Sequence, residues 1–279
     1  MRSLLALLAL LCAAGAALAQ EGPAPVAVAS VAGRGPIDAE SAFAGAPPAT
    51  ITLLPQLITT PFTMTPSVAS VTVRAVHNAD HAGFLLEWAD VTANLRTGID
   101  RFGDMAAIAF PVGATGAALP APFMGNPGGR VQILQWRADW QTDLERGPLT
   151  IAELYPNAYP GDFYPEDHLP PAEGAKFRGA LGAGNPMSER HTSSVQDLMA
   201  EGFGSLTPRE KQSARGRARH DGAGWHVVIT RVLASDGDSS AALVPGAGTS
   251  LAVAVWDGEK GEVGARKAWA GWLPVEIAK

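Results

Sequence analysis

Cysteine is almost absent from this chain. Cys12 is the single one, and it lies in the apolar opening stretch. Beyond residue 19 there is therefore no disulfide, no thiolate nucleophile, no cysteine metal site and no thioether that could attach a haem covalently. Nor does Cys12 read as a lipoprotein cysteine, since Leu11 and not a small residue precedes it. Long apolar runs are missing too. The stretch from Leu4 to Leu18 falls short of the roughly 20 residues that cross a bilayer, and no later run matches it. With Arg2 before it and Ala17-Leu18-Ala19 just ahead of Gln20, it reads as a secretory signal of residues 1–19. No twin-arginine pair accompanies it, so export to the periplasm as an unfolded chain is expected, with any cofactor inserted afterwards. Charge is sparse at 17% and its balance is acidic, with a net charge of −6. Removing residues 1–19 makes it one unit more negative, because they carry Arg2 and no acid. Such a chain is not expected to bind nucleic acid. A serine nucleophile elbow, a phosphate-binding loop and a dinucleotide glycine fingerprint are also missing, which weighs against hydrolase and nucleotide chemistry.

Glycine (31) and proline (22) are abundant and spread without a repeat, so many turns and few long helices are expected. Residues 20–49, rich in Ala, Gly and Pro, read as a flexible, poorly packed arm, and residues 50–279 as one folded domain. Short strands rich in β-branched and aromatic residues follow. Val71 to Val76 and Phe84 to Trp88 flank Asn78-Ala79-Asp80-His81-Ala82-Gly83 as a hairpin. Further strands are expected over 106–110, 131–136, 225–233, 251–256 and 267–275. A mainly β fold follows, an antiparallel two-sheet β-sandwich with long loops and a few short helices. Ser194 to Glu201 reads as one of those helices, capped by Ser194 with Val195, Leu198 and Met199 on one face. The excursion from Thr142 to Lys176, with six prolines and Tyr155, Tyr159, Phe163 and Tyr164, suits either partner contact or a structural wrap.

The histidines do not gather. His77 and His81 have an i, i+4 spacing that would suit a metal on a helix, but they fall in a hairpin and read as turn histidines. His168, His191, His220 and His226 are scattered. From composition and pattern alone, the chain is an extracytoplasmic β-domain.

Several segments, in order, resemble the γ subunit of ethylbenzene dehydrogenase, dimethylsulfide dehydrogenase, and selenate and chlorate reductases. They are Pro122 to Gly129 followed by Val131 to Trp140, Gly184-Asn185-Pro186, Val195 to Thr207, Gly224 to Arg231, and Val255-Trp256-Asp257-Gly258 leading to Arg266-Lys267-Ala268. The resemblance implies a β-sandwich holding one haem b without a covalent link, with a methionine and a lysine as axial ligands. The methionine falls on Met124, with Met105 as its rival, and the lysine on Lys267. Gly125 and Asn126, in the Gly/Pro-rich turn, are implied to let the backbone approach the cofactor. A thioether favours ferrous iron, and two axial side chains leave no open position, as an electron carrier requires. The resemblance further implies that the chain is not itself catalytic. Its partners would be a molybdenum catalytic α subunit and an iron–sulfur β subunit, with a soluble cytochrome c-type carrier outside the complex. The competing expectation is a carbohydrate-binding module using Trp140, Tyr155, Tyr159, Phe163 and Tyr164 as a sugar platform.

Overall fold

A computed structural model describes residues 24–58, 60–113, 118–147, 153, 156–157 and 191–279. The expected signal, the Gly184-Asn185-Pro186 segment and nearly all of the proline- and tyrosine-rich excursion lie outside the described residues.

In chain order the strands are β1 (Val26–Ser30), β2 (Ala49–Thr52), β3 (Ser70–His77), β4 (His81–Ala89), β5 (Met105–Pro111), β6 (Val131–Arg137), β7 (Val195–Ala200), β8 (Thr207–Pro208), β9 (Arg215–His220), β10 (Gly224–Val232), β11 (Gly248–Trp256) and β12 (Ala268–Ile277). They form a single sheet in the order β8-β7-β6-β5-β11-β12-β1-β3-β4-β10-β9, with β2 also on β3. The sheet curls on itself as a sandwich does, so that alternate residues of its two halves bury one another. Between the halves Trp136 of β6 meets Trp225 of β10 at 4.9 Å and Trp88 of β4 at 6.4 Å, while Phe84 and Phe110 lie 5.4 Å apart. The expected mainly β sandwich is thus present, and the 70–89 hairpin closes through Asn78, whose side-chain oxygen accepts the N–H groups of Asp80 and His81.

Three expectations need correction. The expected arm is built into the sheet: β1 runs parallel to both β12 and β3, pairing Val26 with Val275 and Val28 with Ala75, and Phe43 is fully buried. Two sheet edges separated by most of the chain converge on a five-residue strand, and the buried Val26 and Val28 satisfy both sides of it. The sheet is therefore not wholly antiparallel. The expected helix at Ser194–Glu201 is strand β7, paired with β6 from Val131↔Ala200 to Trp136↔Val195. Helical propensity is a weak preference that a full ladder of partner hydrogen bonds overrides. Ser194 does not cap; its hydroxyl donates to the carbonyl of Gly216. Conversely, helix α1 (Ala138–Arg146) continues directly from β6, with Ala138 and Trp140 buried.

Candidate functional site

The site lies on the outer face of the curl, away from the tryptophan core. Along β5, Ala106, Ile108 and Phe110 point into the core, which leaves Met105 and Ala107 on the other side. Register carries that outer face across neighbours: Met105 pairs with Arg137 and Trp256, Ala107 with Gln135 and Ala254, and Ile133 with Leu198. Ala107 and Ala254 on this face line a small recess of about 60 Å³. Over the same face sits a cavity of about 450 Å³, within the range typical of cofactor clefts.

Lys267 and Met124 both line this cavity, and Met105 does too. Lys267 immediately precedes β12, and its Nζ lies 5.1 Å from the centroid of the Trp256 ring. Among the described residues it has no hydrogen bond and no carboxylate partner, and no Asp or Glu lines the cavity. Loss of hydration pushes its pKa down to about 8. This lysine is only half-buried, so water entering the open side softens that effect.

Met124 enters from the connection between β5 and β6. Its backbone is held at φ 84°, in the left-handed region that non-glycine residues rarely adopt. The next residue, Gly125, also has positive φ, and its N–H donates to Ala121 at 2.8 Å, while the Met124 carbonyl accepts from Gly202 at 2.7 Å. Asn126 folds the turn by accepting the Ala121 N–H through its side-chain oxygen. Gly125 and Asn126 are thus not among the lining residues; they shape the turn that presents Met124. A Cβ on Gly125 would collide with the Gly129 carbonyl. Gly125→Ala is therefore expected to destabilise the protein by about 1–3 kcal/mol, read as a lower denaturation midpoint with an unchanged far-ultraviolet β signature.

Met105 differs from Met124 in its surroundings. It is buried in the sheet floor, and its sulfur accepts a hydrogen bond from the Gln135 amide at 3.5 Å.

A family model described as "Ethylbenzene dehydrogenase" matches residues 40–268. The chain belongs to the ethylbenzene dehydrogenase family. The chain is 28% identical over 264 residues to the chlorate reductase subunit gamma of Ideonella dechloratans, covering 91% of this chain and 87% of that one. A protein of Haloferax mediterranei named for the heme subunit of a respiratory nitrate reductase is 23% identical over 207 residues, with 74% of this chain and 55% of the relative covered. Among solved structures, a family 9 carbohydrate-binding module of Caldicellulosiruptor kristjanssonii bound to cellotriose aligns over 91% of this chain and 94% of its own. Its identity is 9% and its TM-score 0.42, too low for any argument.

The family resemblance read from the sequence is thereby borne out, and four of the segments that carried it, Pro122 to Gly129, Val131 to Trp140, Val195 to Thr207 and the Trp256 to Lys267 stretch, supply cavity walls. Phe123 stacks on Phe203 at 5.9 Å and meets Trp269 edge-on at 5.7 Å. Trp269 is fixed by its Nε1–H on the Pro55 carbonyl, and Trp256 by its Nε1–H on Gly264. These aromatic walls were not singled out in the sequence. The available signal was β5 itself, whose seven residues are buried on both faces, showing that its outward side is also covered. The rival sugar platform fares differently: Trp140 is buried and stacks on His191 at 3.8 Å, and its other expected members lie outside the described residues. His77 bonds the carbonyls of Asn78 and Ala278, and His81 bonds Asp80, so neither belongs to the cavity.

Proposed function

We propose that this chain is an exported, non-catalytic electron-transfer subunit that holds one haem b in the outer-face cavity, with Lys267 and Met124 as its axial side chains. It works in the periplasm beside a molybdenum catalytic subunit and an iron–sulfur subunit, exchanging electrons with a soluble cytochrome c-type carrier. The observation that carries the reading is Lys267, a cation without a counter-ion at an apolar cavity. An isolated ammonium in such a place is costly, and the lowered pKa makes the free amine accessible near neutral pH. A free amine is a ligand for iron; an ammonium is not.

Haem bound here would supply a one-electron couple, with Lys267 and Met124 as the side chains that would hold its iron. The chain's own residues do the rest. Met105 and Ile133 of the sheet would face a planar ring in the cavity, Trp256, Trp269 and Phe123 would exclude water from its edges, and the strained Met124 turn would present a thioether to it. Ile58, Phe203, Leu206 and Val263 line the cavity and remain exposed, leaving an apolar rim against which a partner can dock. Support for the complex comes from the relatives named as a chlorate reductase gamma subunit and a nitrate reductase heme subunit. Among the described residues, no helix is long and apolar enough to cross a membrane.

The mature protein purified from its host is expected to show the absorption bands of a low-spin b-type haem, with pigment that acidified organic solvent extracts completely. Gentle affinity purification is expected to bring molybdenum and iron–sulfur subunits with it. A protein that stays colourless after haem addition would overturn the reading, and recovery of a haem protein alone would overturn its assembly part.

A further inference from the structure

Three aspartates converge at strand ends, outside the cavity lining. Asp90 follows β4, Asp104 precedes β5 and Asp257 follows β11. One carboxylate oxygen from each lies within 4.8 Å of those of the other two. Their exposures are 8%, 0% and 7%, so water does not screen them.

Counting donors shows what is left over. Asp104 accepts the Gly258 N–H at Oδ1, and the Asn94 N–H and Trp225 Nε1–H at Oδ2. A carboxylate has about four lone-pair sites, so Asp104 keeps one. Asp257 accepts the Lys260 N–H at Oδ1 and keeps more. Asp90 accepts both the N–H and the hydroxyl of Thr92 at Oδ1, whereas its Oδ2 is buried and has no hydrogen-bond partner. None of the three forms an ion pair with a Lys, Arg or His among the described residues, and Lys260, whose charge reaches Asp257, is exposed. Burial, with the Asp90 charge added to it, holds Asp104 up at about 6 and raises Asp257 as well.

A buried carboxylate oxygen without a donor is a costly group, and natural proteins offset such charge with a partner or a metal. We propose that Asp90, Asp104 and Asp257 bind one divalent cation, Ca²⁺, through the free Oδ2 of Asp90 and the remaining lone pairs of the other two. The donor set contains only oxygen, which selects a hard cation over zinc or copper. Donor atoms this close can share one Ca²⁺, whose ligands sit about 2.3–2.6 Å from the ion. The carboxylates stand on three strand ends with irregular connections, and Ca²⁺ tolerates irregular geometry where Mg²⁺ requires a near-ideal octahedron. The ion ties together the ends of β4, β5 and β11. Met105 and Trp256, the chain neighbours of Asp104 and Asp257, are cavity-lining residues. It therefore braces two walls of the cavity without touching its contents.

The test uses the full mature protein, freed of metal with a chelator and dialysed, and its readouts do not depend on haem. Calorimetric titration with CaCl₂ is expected to give one site per chain. At a hundredfold excess over Kd the thermal midpoint is expected to rise by about 5–10 °C. Mg²⁺ is expected to bind at least tenfold more weakly, and equal affinity for the two ions would overturn the choice of calcium. Asp90→Asn keeps the shape and removes the unpaired charge. It is expected to weaken Ca²⁺ binding at least a hundredfold while leaving the midpoint in chelator unchanged or higher, since repulsion within the cluster falls. Asp257→Asn gives a second variant with the same expectation, should the first fail to fold. No stoichiometric Ca²⁺ binding to the unsubstituted protein, or equal affinity in a folded variant, would overturn the proposal.

Discussion

Lys267→Ala is expected to lose the low-spin haem spectrum and to lower haem retention at least tenfold, while the β signature of the fold persists. The separation is expected because Lys267 faces the outer cavity and the packed core lies on the other side of the sheet. A second effect checks the cause. In the haem-free protein the Lys267 pKa of about 8 lies below its unfolded value of roughly 10.4, so the unfolded chain binds more protons between those limits. Stability is thus expected to rise with pH across that window and to lack this contribution once pH falls through 8. Lys267→Met removes the penalty. It is expected to stabilise the haem-free protein at pH 7 by about 1–3 kcal/mol, discounted for water at the cavity mouth, and to give no gain near pH 11. Chemical denaturation at the two pH values measures both. An equal effect at pH 7 and pH 11 would mean that Lys267 acts through its shape and not its charge.

The second large effect concerns the sulfur. Met124→His is expected to keep haem but lower its reduction potential, because imidazole favours ferric iron more than a thioether does. The shift is expected on the order of 0.1 V, within the roughly 0.8 V that axial ligands span. Met105→Ala is expected to leave the potential and the sulfur-ligand spectrum nearly unchanged, because its sulfur already accepts a hydrogen bond from Gln135 in the sheet floor. Redox titration with near-infrared spectroscopy separates the two methionines. Should Met105→Ala remove the sulfur signature and Met124→Ala spare it, the assignment reverses, although the haem reading stands.

The strands legible in the sequence are those whose alternation is carried by large apolar side chains. Leu134 and Trp136 of β6, set against Gln135, and the apolar run of β10 mark themselves as strands. Strand β1 was hidden because Val26-Ala27-Val28 is short and lies among Gly and Pro, and its partners are about fifty and nearly two hundred and fifty residues away. In β7, Val195, Leu198 and Met199 satisfy a helical spacing as well as a strand, and only pairing with β6 decides between them. Strand β9 has arginines at alternate positions and turns Gly216 and Ala218 inward, where Val195 leaves no room for a Cβ on Gly216. It carries no apolar signal at all. Met124 and Lys267 were reached through resemblance and not through pattern. Their meeting at one cavity depends on contacts between β12 and the β5–β6 connection that no local window contains.

The alternation along β5 divides two duties between neighbouring residues. Ala106, Ile108 and Phe110 hold the fold together, whereas Met105 lines the cavity and Ala107 a small recess on the same outer face. Changes on one face are separated from the other by the thickness of a sheet, and substitutions without shared partners combine almost additively. The scaffold can therefore explore new cavity chemistry through its outward residues while its folding residues stay fixed. A single strand becomes two independently adjustable lists of side chains, one answering to folding and one to the cavity.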